Sequence, residues 1–154
     1  MTAAPLTAEA FAPYGEVIAA EGAPTTMINE GRCGRHHDLA ALDFADGRAG
    51  ISLFDSQCVA MPYRLRVMER HPQGSQAFLP IGAARCLLVV AGDGAAPAAP
   101  VAFISAAGQG FNVRRNVWHA PLAPLEGGRF FVVDRIGEGA NLELAEFDPP
   151  LLVI

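Results

Sequence analysis

Apolar and polar residues alternate along this chain in short runs, and glycine, proline and aspartate cut the runs apart. Alternation of this kind has the two-residue period of a strand whose faces meet different surroundings. It predicts strands near Glu16–Ile18, Gly50–Asp55, Tyr63–His71, Ser75–Pro80, Arg85–Val90, Pro100–Ile104, Gly110–Ala120 and Arg129–Ile136. One segment reads as helix, Leu6-Thr7-Ala8-Glu9-Ala10-Phe11, with Thr7 as N-cap, Glu9 in the first turn, and Pro13 and Gly15 closing it. Strands about 10–15 residues apart with no helices between them describe an all-β antiparallel sandwich or barrel. Asp93–Pro100 has the composition of a linker, but the strands flanking it make it a hairpin loop. The tail from Pro149 to Ile154 is apolar enough to need cover, from its own domain or from a partner subunit. At 154 residues the chain is expected to form one domain, 1–154.

Parity assigns side chains to faces. In Tyr63–His71, Tyr63, Leu65, Val67, Glu69 and His71 share one face, and Arg64, Arg66, Met68 and Arg70 the other. The first set is expected to face the core and carry Glu69 and His71 inward, leaving the three arginines as solvated surface. Packing alone does not choose a carboxylate and an imidazole for such positions. In Gly110–Ala120, Phe111, Val113, Arg115, Val117 and His119 share a face, opposite Asn112, Arg114, Asn116 and Trp118. An inward Arg115 needs a partner, either Glu69 or the carboxylate of a substrate.

Composition narrows the chemistry. All 11 basic residues are arginine, which excludes Schiff-base, pyridoxal-phosphate and P-loop mechanisms that need a reacting lysine. A formal net charge of −5 argues against nucleic acid and anionic membranes as partners. Cys33, Cys58 and Cys86 are far apart and odd in number, so a reducing cytoplasm is expected rather than a disulfide framework or a zinc ribbon. The N-terminus lacks the charged and apolar regions of a signal peptide, and no apolar run approaches membrane-span length.

Several polar features have simpler readings. His36-His37-Asp38 is first a polar loop, and Gly108-Gln109-Gly110 is a turn with no helix after it. A lone inward histidine is more often a hydrogen-bonded core residue than a catalyst. The case for His71 rests on its converging with Glu69, Gln76, Arg115 and His119 from three strands. Their spacing resembles the cupin metal motif, with Glu69 and Gln76 standing where His and Glu usually stand and His71 and His119 in place. A glutamine amide is a poor ligand, so any metal site would be altered, weak or lost.

Two longer motifs carry a more specific resemblance. Glu69-Arg70-His71-Pro72-Gln73-Gly74-Ser75-Gln76-Ala77-Phe78-Leu79-Pro80 and Arg115-Asn116-Val117-Trp118-His119, with Pro121-Leu122, are similar to signatures of the ureidoglycolate lyases. Ile28-Asn29, Gly31, Arg35 to Leu39 and Val133-Asp134-Arg135 extend the likeness over nearly the whole chain. His36 departs from the family's usual aromatic residue, and Ala120 from a second histidine. The resemblance implies a homodimeric, cupin-like antiparallel β-barrel (jelly roll) that splits ureidoglycolate into glyoxylate and urea during allantoin and purine catabolism. Cleaving this hemiaminal needs a base for the hydroxyl proton, an acid for the departing nitrogen, and a cation for the carboxylate. On that reading His71 and His119 divide the base and acid roles, with Glu69 supporting an imidazole. Arg115 then holds the carboxylate, and Gln76, Asn29 and His37 complete the substrate-binding set. No nucleophile, hydride carrier or redox centre is required, and Glu69, His71 and His119 are candidate ligands for a possible divalent metal. Two alternatives stay open: a metal-dependent cupin acting on another small carboxylic acid, and a non-catalytic barrel that binds a small carboxylate.

Overall fold

A computed structural model describes all of residues 1–154. Its elements are β1 (Ala4–Pro5), α1 (Ala8–Phe11), β2 (Gly15–Ile18), β3 (Thr26–Ile28), β4 (Cys33–Arg35), β5 (Arg48–Ser56), β6 (Tyr63–Arg70), β7 (Gln76–Pro80), β8 (Cys86–Ala91), β9 (Val101–Ile104), β10 (Gly110–Val113), β11 (Trp118–His119), β12 (Ala123–Pro124), β13 (Gly128–Ile136) and β14 (Glu143–Val153). The short helix forms where expected: extended Thr7 caps it by accepting a bond from the Ala10 N–H, and Phe11 is fully buried.

The strands make two sheets and a separate hairpin. One sheet runs β1-β9-β8-β11-β6-β14 with β12 added to β8, the other runs β2-β10-β7-β13-β5, and β3 pairs only with β4. Every pairing is antiparallel except β1 with β9. The fold is thus all-β and cupin-like, built as two facing sheets whose ladders do not join. No helix is long and apolar enough to cross a membrane.

Strand β8 shows how the layers are arranged. Cys86, Leu88 and Val90 enter a core between the sheets with Phe78, Phe111, Phe130 and Val132, while Leu87, Val89 and Ala91 join a second core with Leu65, Met68, Trp118 and Val153. Burial on both faces explains why this strand reads as a continuous apolar run rather than an alternation. Asp93–Pro100 is the loop between the antiparallel neighbours β8 and β9, as expected. The apolar tail packs on its own domain, as β14 against β6.

Three expectations need correction. Gly110–Ala120 is not one strand: a turn at Arg115–Asn116 separates β10 from β11, and Asn116 takes the left-handed conformation at φ 68°. Asparagine tolerates that region, and the turn resets parity. Arg115 therefore lies in an exposed turn rather than on an apolar strand face. The single inward face of Tyr63–His71 also breaks, because Leu65 and Met68 both enter the second core. The break lies where β14 shifts register, from Glu146 opposite Val67 to Leu151 opposite Leu65, around Pro149 and Pro150, which cannot donate to a ladder. Arg70, finally, is no surface charge. It stacks over the Trp118 ring at 4.7 Å, pairs with Glu143 at 2.6 Å and donates to the Gly94 carbonyl at 2.7 Å. Arg64 and Arg66 are exposed as expected.

Candidate active site

Sheet register brings the polar groups together. Glu69 of β6 lies directly opposite His119 of β11, and antiparallel partners share a face. His119 also lies opposite Val90, an inner-core residue, so both groups face the space between the sheets. Gln76 enters that space from the facing sheet at the start of β7. His71 follows β6 directly, in a turn whose carbonyl accepts the Asn116 N–H at 3.1 Å. The two imidazole rings lie 5.2 Å apart.

Backbone carbonyls set the tautomers. His71 Nδ1 is 2.7 Å from the Asn141 carbonyl oxygen and His119 Nδ1 is 3.0 Å from that of Val117. Carbonyls only accept, so each Nδ1 carries the hydrogen and a neutral ring keeps its lone pair on Nε2. His71 Nε2 is buried without a partner. His119 Nε2 faces Glu69 at 3.7 Å and the Gln76 amide oxygen at 3.3 Å. One ligand atom each from Glu69, His71 and His119 falls within 4.8 Å of the others.

Two lone pairs and a carboxylate converging out of water attract a proton or a cation. Burial opposes the proton at His119: it brings this histidine down to about 4, assisted by repulsion from His71 and resisted by the Val117 hydrogen bond. Burial raises Glu69, against the pull of His71. His119 is therefore neutral at neutral pH. Hydrogen bonds from both Nδ1 groups to carbonyls are also the support that metal-binding histidines use, so this trio suits a divalent ion.

Other predicted residues lie elsewhere. Arg115 pairs through Nε with Asp43 at 3.2 Å and lines a cleft with Ser75 and Asn116, beside the His71 turn but outside the trio. Asn29 sits in the turn of the β3–β4 hairpin, and exposed His37 engages Arg35 at 2.8 Å. The loop after His37 packs on the outer face of the five-stranded sheet, where the Ala41 carbonyl accepts from Asn112 and Asp43 bonds Ser75 in both directions. That face is turned away from the trio.

Two contributors escape motif reading. Asp134 of β13 lies 3.5 Å from the Gln76 amide nitrogen and shares an inner face with Phe130 and Val132. Asn141 holds His71 through its carbonyl, while its side chain accepts the Gln73 N–H at 2.7 Å. The 138–141 segment is clamped in turn by Arg135, which is buried and donates to Asp46 and to the Glu138 carbonyl. Inward parity could have found Asp134; no local signal marks a carbonyl such as that of Asn141.

The family model described as ureidoglycolate lyase matches residues 1–154. The chain is 57% identical to a ureidoglycolate lyase of Rhodobacter capsulatus, covering 97% of this chain and 94% of that one. It is 50% identical to one from Brucella melitensis, covering 93% and 87%, and 46% identical to one from Agrobacterium fabrum, covering 97% and 92%. Matched from end to end at identities this high, the chain belongs to the ureidoglycolate lyase family.

Proposed function

We propose that this enzyme cleaves ureidoglycolate to glyoxylate and urea, with Glu69, His71 and His119 at the reacting carbon. The observation that carries the reading is the convergence of two imidazoles, each fixed by a backbone carbonyl, on one partly buried carboxylate. The hemiaminal carbon bears a hydroxyl whose proton must leave as the C–N bond breaks. Neutral His119 takes that proton at Nε2, where Glu69 and the Gln76 oxygen then stabilise the charge. His71, whose Nε2 has no partner within the protein, serves as the acid in its doubly protonated form: it gives its Nε2 proton to the departing nitrogen, and the proton gained by His119 restores it before the next turnover. For Arg115 to hold the carboxylate its side chain must leave Asp43 and swing from the cleft beside the His71 turn toward the trio.

A divalent ion held by the two Nε2 atoms and Glu69 would lower the pKa of the hydroxyl, and the unmet His71 Nε2 favours this second reading. Activity that survives exhaustive chelation separates the two.

We also place the enzyme in the cytoplasm, in allantoin and purine breakdown, as a homodimer. Three unpaired cysteines, two of them exposed, suit a reducing compartment. Ile51, Leu53 and Phe131 present an exposed apolar strip on the five-stranded sheet, with Leu53 and Phe131 directly opposite each other, and a second copy would cover it.

Urea release from racemic ureidoglycolate tests the activity. His71→Ala is expected to lose at least about 100-fold in kcat. An inactive wild type, or a fully active His71→Ala, refutes the reading.

A further inference from the structure

The two carboxylates of the inter-sheet space have different surroundings. Glu69 belongs to the imidazole trio, whereas Asp134 stands outside it, one amide away beyond Gln76. Asp134 Oδ1 is buried with no hydrogen-bond partner, and Oδ2 meets only the Gln76 N–H at 3.5 Å, the long limit for such a bond. No guanidinium compensates. Arg135, next along the strand, points to the opposite face and donates to Asp46 and Glu138 instead. A buried acceptor left unmet is costly, and a carboxylate can only accept, so this group suits a ligand that brings N–H donors.

We propose that Asp134 is a specificity-determining residue that receives the two parallel N–H groups of the substrate's ureido end. The inference rests on the lyase reading and assigns a recognition site for the half of the substrate that becomes urea. A ureido group carries one N–H on its substituted nitrogen and another on its terminal nitrogen, side by side and anti to the carbonyl. They match the two oxygens of a carboxylate as an arginine fork does. Gln76 spans the distance between the two ends: its nitrogen faces Asp134 and its oxygen faces His119. A substrate with its hydroxyl at His119 therefore lays its ureido nitrogen toward Asp134. An analogue without paired N–H donors leaves the buried Oδ1 unmet, which is how such a site discriminates.

Asp134→Asn keeps the shape and replaces one acceptor with a donor. Its KM for ureidoglycolate and its inhibition constant for urea are expected to rise about 10- to 100-fold, the range for one charged hydrogen-bonding group. Inhibition by glyoxylate, which has no N–H, should stay within about twofold of wild type on the same grounds. Unchanged urea inhibition in a folded, active variant overturns the assignment and leaves the lyase reading intact. Equal losses toward urea and glyoxylate overturn it too, because they report a structural role. An inactive wild type overturns both. Should the variant fail to fold, the wild type decides: urea is expected to inhibit and tetramethylurea, which has no N–H, to be inert. Equal inhibition by the two refutes the proposal.

Discussion

Acidifying the metal-free enzyme from pH 7 to pH 5 should destabilise it chiefly through His119. Burial holds the folded imidazole at about 4, against an ordinary value of 6.5, so it stays neutral where the unfolded chain already binds a proton. The depressed value fixes the sign. This contribution to stability is complete above pH 6.5, is lost as pH falls toward 4, and falls no further below that. The whole effect is on the order of 3 kcal/mol, of which about 2 kcal/mol lies between pH 7 and pH 5. Glu69 works in the opposite direction, since burial raises it and a raised carboxyl gains relative stability as pH falls. His119→Asn is therefore the necessary reference. Guanidinium unfolding of both proteins after chelation should show the wild type losing about 2 kcal/mol more than the variant between pH 7 and pH 5. Parallel losses in the two proteins would refute the claim that His119 is buried neutral, and with it the assignment of His119 as the base.

Two further outcomes follow from the packing. Arg70→Met removes the stack on Trp118, the Glu143 ion pair and the bond to Gly94, and should cost about 1–3 kcal/mol in denaturant unfolding while shifting the fluorescence of the single tryptophan; an unchanged spectrum would mean that the stack does not form in solution. Phe131→Glu puts a charge into the exposed apolar strip, and sedimentation should show monomers where the wild type sediments as a dimer, with monomer stability changed by less than about 1 kcal/mol.

Much of the fold was legible because most strands meet different surroundings on their two faces. β5, β7, β9 and β13 lie where alternation or apolar runs predicted them, and the turn residues between them fall in loops. What escaped was decided by pairing rather than local pattern. β14 reads poorly because Asp148-Pro149-Pro150 interrupts it, yet it is held by β6 on both sides of the interruption. The β3–β4 hairpin is exposed throughout and has no buried face to produce alternation. Arg70 misled for a related reason. Its face carries Met68 and meets Trp118, so the face opposite the candidate site is itself a core. Parity separates two faces but does not say that one of them is wet.

The site divides along the same line. Glu69 and His119 were placed correctly because an antiparallel pair transmits its face from strand to strand, and the apolar neighbours of each mark that face as inner. Arg115 was misplaced because parity holds only while the backbone stays extended, and Asn116 at φ 68° ends it. That signal lay in the sequence, since asparagine is the ordinary residue for such a turn. Asp134 is the harder case. Its strand reads Phe130-Phe131-Val132-Val133, apolar on both faces, so alternation cannot choose which side Asp134 takes. The choice comes from β5 and β7: Phe131 lies opposite Leu53 and Leu79 on the outer face, which sends Phe130, Val132 and Asp134 inward. An exposed apolar face on the outside of the sheet is thus what hid the carboxylate on the inside. If the enzyme pairs through that face, the residues that blur the reading of Asp134 are the ones the dimer needs.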